Sequence, residues 1–152
     1  MREIHRTIVS ALLFSKDNKI LMWRRDPNGG GVYPDCRHIP WGGVEEWESL
    51  EQAVIREVQE EIGLDISPYE IIQLPHNNTW TTEKTLKETG EKVLCHMEFN
   101  RFKIQLDHNA QDIEVQPTNE LVEIKWFDSK ELAEAKQIPG GKEFFQKMWY
   151  IK

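Results

Sequence analysis

The sequence predicts an α/β fold, a mixed-sheet α/β/α sandwich, built as one domain over residues 1–152. Three observations carry that expectation. Stretches with strand character stand on both sides of one strongly amphipathic helical segment. Further helical sequence follows near 129–136 and 141–150, enough to cover the second face of a sheet. A length of 152 residues suits one domain with a real core rather than two.

Residues 4–14 and 19–24 read as strands joined by the polar turn Ser15-Lys16-Asp17-Asn18. Residues 26–35 hold three glycines and two prolines and must be a loop, after which Arg37 to Pro40 lead into Gly42 and Gly43. The central helix comes next. Ser49 with Gln52 makes a capping box and Gly63 a stop, with a helix of about fourteen residues between them. Leu50, Val54, Val58 and Ile62 recur every four residues and supply its buried stripe. Residues 66–75 and 79–87 are strand candidates. Glu88 to Glu91 turn into 92–106, where Val93, Cys95, Met97 and Phe99 alternate as in a half-buried strand. A polar loop over 107–119 precedes a strand at 121–127. The chain shows no repeat, low-complexity tract or linker.

Charge is concentrated in one place. Residues 42–64 contain seven glutamates and a single base, Arg56, a formal charge of −6 within a chain of net −7. The remainder holds 19 acids against 18 bases and is close to neutral. Clustered carboxylates repel one another unless a cation joins them, which points to a hard divalent metal. Glutamate-rich helices are commonly solvated surfaces, and Glu45, Glu46 and Glu51 fit that description. Glu57, Glu60 and Glu61 do not. At about 100° per residue they share a sector of roughly 100°, in which Glu61 falls between Leu50 and Val54 at the edge of the apolar stripe. They also occupy the C-terminal half, where the helix dipole disfavours anions. Local stability would not choose this arrangement.

Gly42, five residues, Glu48, seven residues, then Arg56-Glu57-Val58-Gln59-Glu60-Glu61-Ile62-Gly63-Leu64 resembles the Nudix box, G-x5-E-x7-R-E-U-x-E-E-x-G-U, at all nine specified positions. The box covers 23 of 152 residues, and the order of elements around it resembles the family over most of the chain. The resemblance implies a Nudix-type α/β/α sandwich and hydrolysis of a nucleoside diphosphate linked to a further group X. It also implies Mg²⁺ or Mn²⁺ to neutralise the phosphates, orient them and activate water. By the same resemblance Glu57, Glu60 and Glu61 are metal ligands, Glu57 is also a candidate for activating water, and the backbone carbonyl of Trp41 reaches the metal. Gly42 and its neighbours are expected to form a tight loop, while Arg56 and Glu48 act as structural partners within the box, which Gly63 closes.

Many members add a distal carboxylate before a strand carrying Trp. The run Thr118 to Trp126 resembles that pattern, which makes Glu120 a candidate metal ligand or general base, with Glu114 and Glu123 as weaker choices. Two tryptophans depart from the commoner family wording: Trp41 stands before Gly42 and Trp47 before Glu48, where relatives often have glycine. Neither can take positive φ cheaply. Trp41 is expected to pack rather than to stack on a base.

Candidates for recognising the base or X are Arg24, Arg25, Tyr33, His38 and Trp80, together with the loop Pro139-Gly140-Gly141-Lys142. Trp23 and Trp126 lie on strand patterns and read as core. His76, His96 and His108 lack metal-ligand spacing. No downstream mark of the ADP-ribose or NADH subfamilies is clear; Trp80 stands where dinucleoside polyphosphate hydrolases often place Tyr. Elimination leaves a nucleoside triphosphate, normal or modified, as the leading substrate, hydrolysed to nucleoside monophosphate and pyrophosphate. Dinucleoside polyphosphates, nucleotide sugars and a non-catalytic nucleotide sensor remain as alternatives. The partner is thus a small nucleotide or other organic diphosphate. The acidic balance, with no basic stripe, argues against long nucleic acid. The apolar run Thr7 to Phe14 is too short to span a membrane. Two cysteines, Cys36 and Cys95, are too few for a disulfide framework and suit a reducing, cytoplasmic setting. A homodimer stays open.

Overall fold

The computed structural model describes residues 1–25, 37–75, 78–116, 121–135, 143 and 145–146; of Arg25, Asn78, Leu121 and Val122 it describes the backbone. Tyr33, Cys36, His76, Glu120 and the Pro139 to Lys142 loop lie outside the described residues.

The centre is a mixed sheet. Strand β1 (Arg2–Phe14) runs parallel to β7 (Lys92–Gln105) along its whole length, from Arg2 beside Val93 to Phe14 beside Gln105. Every other pairing is antiparallel. On the far side of β1 lie β2 (Ile20–Arg25) and the short β4 (Trp41–Gly43), and β2 continues to β3 (Arg37–His38) and β8 (Leu121–Phe127). On the far side of β7 lie β5 (Ile71–Gln73) and β6 (Asn78–Thr85). The turn between β1 and β2 places Asn18 at φ 61° and closes with Asn18 N–H donating to Ser15 O at 2.9 Å. Asparagine tolerates that left-handed geometry better than other non-glycine residues.

Among the described residues, two helices contribute to the outer layers. Helix α1 (Leu50–Ile62) packs Ala53, Val54, Val58 and Ile62 against Val9, Ala11, Leu13, Leu21, Trp23, Phe102 and Ile104. On the opposite face Leu132 of α2 (Ser129–Glu134) and Phe145 join Leu12, Phe14, Ile20, Met22 and Phe127. A third, smaller cluster of Ile8, Cys95 and Met97 lies on that same face, toward the start of β1. The sandwich expected from the sequence is thereby present, with Trp23 fully buried and Trp126 packed against the main core.

Three expectations need correcting. Residues 66–75 do not form one strand: only Ile71–Gln73 pairs with β7, while Asp65 to Tyr69 make turns, with Ser67 N–H on the Asp65 carboxylate at 2.9 Å and Tyr69 N–H on Ile66 O at 3.0 Å. Pro68, which cannot donate to a ladder, fits that turn. Gly42 is not the apex of a tight loop. Trp41 to Gly43 are extended and pair with Ser10, Val9 and Ile8. The buried stripe of α1 is also broader than Leu50-Val54-Val58-Ile62, because Ala53 is fully buried and Leu50 only half-buried.

Candidate active site

Helix α1 is fixed at both ends. Ser49 accepts a hydrogen bond from Gln52 N–H at 3.1 Å while its own N–H donates to Gln52 Oε1 at 2.8 Å, the reciprocal capping box. Gly63 ends the helix at φ 70° with its N–H on Gln59 O. Gln116 N–H donates to Ile62 O at 2.6 Å, which ties the chain ahead of Glu120 to the last turn of the helix. No basic side chain occupies that last turn, where the dipole disfavours the charges of Glu60 and Glu61.

Arg56 organises the box. Its Nε donates to Glu48 Oε2 at 3.0 Å and its Nη2 to Glu48 Oε1, a bidentate pair. Nη2 also donates to Gly43 O at 2.9 Å, and Nη1 reaches Glu57 Oε1 at 2.8 Å and Glu60 Oε2 at 3.3 Å. The Glu48 side chain is 1% exposed, and Arg56 holds its carboxyl below the usual range. Glu48 Oε1 further accepts from Glu45 N–H at 2.8 Å, closing the loop before the helix. Arg56 itself is pushed up by the Glu48 hydrogen bonds, against the effect of burial, with Glu57 adding to the rise. Both residues therefore hold the loop on the helix, as the sequence led one to expect.

Glu57 is the group under tension. Burial pushes its carboxyl pKa up; Arg56 pulls the other way, and Glu60 and Glu48 add repulsion. Its seat explains the glycine at position 42. A Cβ on Gly42 would stand 2.0 Å from Glu57 Cδ and 2.2 and 2.3 Å from its two oxygens. Gly42 has no positive φ, so the requirement there is space, not backbone freedom. Gly43, one residue on, faces the other way: its missing Cβ would stand 2.5 Å from Arg6 Nη2.

The β1–β4 ladder also aims carbonyls. Ala11 N–H donates to Pro40 O at 2.8 Å and Val44 N–H to Thr7 O at 2.9 Å. Antiparallel alternation then makes Val9 and Gly42 the bonded pair between them and turns the carbonyls of Trp41 and Gly43 away from β1. Gly43 O is held by Arg56; Trp41 O leaves the same strand edge.

The described residues include no group of three His, Cys, Asp or Glu side chains placed to hold a metal ion, and Arg56 draws both Glu57 and Glu60 onto its Nη1. The donor chemistry nevertheless fits a hard divalent ion. Partly desolvated carboxylates at Glu57 and Glu61 and an outward backbone carbonyl at Trp41 are all oxygen donors, and the bare α-carbon of Gly42 leaves the room they need.

The remaining candidates scatter. Arg24 and Arg37 both pair with Glu123, at 3.7 and 2.8 Å, so Glu123 is committed away from α1. Glu114 is exposed. His38 is 3% exposed and stacks on Trp23 and Trp41, with centroids 5.1 and 6.0 Å away. Trp41 packs, as expected, its ring also tilted against Phe99 at 6.1 Å. Trp47 is 74% exposed within the box loop, and Trp80 is 37% exposed on β6. Glu45, Glu46 and Glu51 are exposed charges. Arg6 was not singled out by sequence. The available signal was its position between Ile4 and Ile8 on the inward-facing side of a strand, where a charge is out of place.

Comparison with known proteins agrees with this geometry. The NUDIX domain profile matches residues 4–148. An RNA pyrophosphohydrolase of Hydrogenovibrio crunogenus is 33% identical over 78 residues, 51% of this chain and 42% of that protein. An ADP-ribose pyrophosphatase of Methanocaldococcus jannaschii is 39% identical over 61 residues, 40% of this chain and 34% of its own length. The chain thus spans less than half the length of these relatives. The dihydroneopterin triphosphate pyrophosphohydrolase of E. coli shares the fold, with a TM-score of 0.71 at 20% identity over 95% of this chain and 96% of that one. With the profile covering nearly the whole chain and the box intact on its helix, the chain belongs to the NUDIX domain family.

Proposed function

We propose that the chain is a divalent-metal-dependent pyrophosphohydrolase that cleaves the phosphoric anhydride of a nucleoside diphosphate linked to X. Its leading substrate class is a nucleoside triphosphate, normal or modified, yielding nucleoside monophosphate and pyrophosphate. The observation that carries this reading is the seating of the partly buried Glu57 carboxylate on the bare α-carbon of Gly42, next to an outward carbonyl edge. Glu57, Glu60, Glu61, the Trp41 carbonyl and Glu120 would hold Mg²⁺ or Mn²⁺. When bound, the metal supplies charge neutralisation and an activated water. The assignment of Glu120 is supported by its place in the sequence just ahead of the strand that carries Trp126. Arg56 and Glu48 keep the box loop on α1.

The names of the three compared proteins share cleavage of a pyrophosphate linkage and differ in what carries it. A second substrate reading, an RNA, rests on the Hydrogenovibrio relative, which is named an RNA pyrophosphohydrolase. The net charge of −7 disfavours extended contact with an RNA backbone.

The test is a substrate panel of nucleoside triphosphates, dinucleoside polyphosphates, nucleotide sugars, ADP-ribose and a 5′-triphosphorylated oligoribonucleotide. Each is assayed with Mg²⁺ and with excess chelator, and products are resolved by chromatography. Metal-dependent release of monophosphate and pyrophosphate is expected. Turnover in excess chelator overturns the mechanism, and tight nucleotide binding without any hydrolysis replaces the enzyme with a sensor.

A further inference from the structure

Phosphate recognition needs a cation that the protein has not already neutralised, and the box supplies none. Arg56 is consumed by Glu48, Glu57, Glu60 and Gly43 O, and Arg24 and Arg37 by Glu123. Arg6 is different: among the described residues no acidic side chain pairs with it, yet it is partly buried and its Nη2 lies directly against Gly43. An arginine so placed has left bulk water without gaining a carboxylate, a cost that an incoming anion would offset.

Its surroundings define what kind of anion. Gly42 and Gly43 point to opposite faces of β4, so the strand is a thin partition with Glu57 seated on one side and Arg6 on the other. Along the sheet, Arg6 stands opposite Met97 of β7, and Met97 stands opposite Trp80 of β6. Directly opposed residues share a face, so Arg6, Met97 and Trp80 form one row across three strands, with adjacent strands about 4.8 Å apart. That sets the α-carbons of Arg6 and Trp80 about 10 Å apart with Met97 between them, while the Arg6 guanidinium leans toward Gly43 on the side away from β7. A nucleotide whose phosphate chain extends away from its planar base fits a cation at one end of such a row and an aromatic ring at the other.

We propose that Arg6 is a substrate-binding residue that holds a phosphate across β4 from the carboxylates, with Trp80 offering its ring to the base of the same nucleotide. This rests on the function proposed above and extends it by naming the cation and the face on which the nucleotide lies. Guanidinium–phosphate contacts are charge-assisted and bidentate, and aromatic stacking is tolerant of base identity.

The test is calorimetric binding of two probes, inorganic tripolyphosphate and an adenosine triphosphate analogue with a methylene bridge between α and β phosphorus, each with and without Mg²⁺. Arg6→Gln is expected to weaken both probes by about tenfold or more with an unchanged melting temperature, and Arg6→Lys to recover part of the loss. Trp80→Ala is expected to weaken the nucleotide analogue alone. Arg2→Gln is the control for loss of one positive charge from the same strand, since Arg2 is an exposed partner of Glu91 at 3.1 Å, and it should leave both affinities intact. Arg6→Gln within twofold of wild type, equal losses in Arg2→Gln, or a wild type that binds neither probe each overturns the proposal. An effect of Trp80→Ala on tripolyphosphate, or none on the analogue, removes Trp80 from it. Because binding is read without turnover, a wild type that hydrolyses nothing but loses affinity in Arg6→Gln refutes the enzyme while leaving the phosphate contact standing.

Discussion

The two faces of the central sheet are built differently. Beneath α1 a single cluster of thirteen buried residues runs without a break from Val9 to Leu106. Among the described residues the opposite face is divided into two smaller clusters, Ile8-Cys95-Met97 and the group around Leu12, Phe14 and Ile20. The division falls at Ser10, which stands between Trp41 and Arg101 in the ladder. Ser10 Oγ and Trp41 Nε1 are buried there without a hydrogen-bond partner among the described residues, and burial pulls Arg101 down to about 10. Buried polar atoms left in this way cost stability. The α1 face is thus arranged for cohesion, whereas the interrupted face gives some up at the level of β4, where the two glycines lie.

If that division of labour is right, stability and activity must separate by face. Ile62→Ala should cost about 2–5 kcal/mol, because it empties a fully buried site on the cohesive face. Urea unfolding measures it, and a loss below that range would mean the α1 core can collapse around the gap. Glu57→Gln should cost about hundredfold in kcat/KM, roughly 2.7 kcal/mol of transition-state stabilisation. Its melting temperature should hold or rise, since folding already disfavours the ionised form of this carboxyl. Parallel loss of activity and stability would make Glu57 a packing residue.

Glu48→Gln should be milder, about 1–3 kcal/mol at neutral pH, and its pH dependence is diagnostic. Folding lowers the Glu48 pKa through Arg56. Its stabilisation is therefore complete above the unfolded carboxyl value and is lost as pH falls through the lower folded one. The stability gap between wild type and Glu48→Gln should stay level above about pH 5 and close in acid; a gap that widens in acid would contradict the pairing. The smallest expected change is on the interrupted face. Ser10→Ala removes a buried hydroxyl without a partner and should leave stability unchanged or raise it by up to about 1 kcal/mol, as read from the melting temperature.

The helix was legible because its determinants are local. Ser49, Gln52 and Gly63 act within a few residues of themselves, and the resemblance to the box implies that Arg56 partners a box glutamate, as it does with Glu48 and Glu57 in the folded chain. Tertiary decisions were less readable. In β7 the buried positions switch from Val93, Cys95 and Met97 to Asn100, Phe102 and Ile104, although its pairing with β1 continues in one register throughout. No bulge causes the switch; the strand simply passes from cover on one face to cover under α1, which alternation alone cannot foresee. The opposed roles of Gly42 and Gly43 were hidden for a related reason. Two adjacent glycines suggest a loop, and only the pairing of β4 with β1 shows each of them admitting a different side chain.

The parallel ladder of β1 with β7 carries a consequence for how the chain folds. Every pair in it joins residues about ninety positions apart, from Arg2 with Val93 onward. The seam through the middle of the sheet therefore closes a long loop, and its entropic cost must be met before its contacts reward it. During synthesis the apolar run Ile8 to Phe14 lacks its longest partner until Gln105 has left the ribosome. Over that interval an unpaired hydrophobic strand is exposed to any neighbouring nascent chain. Assembly of this enzyme-like scaffold is governed by its most distant pairing, and its risk of aggregation is highest before the box helix has a complete sheet to lie on.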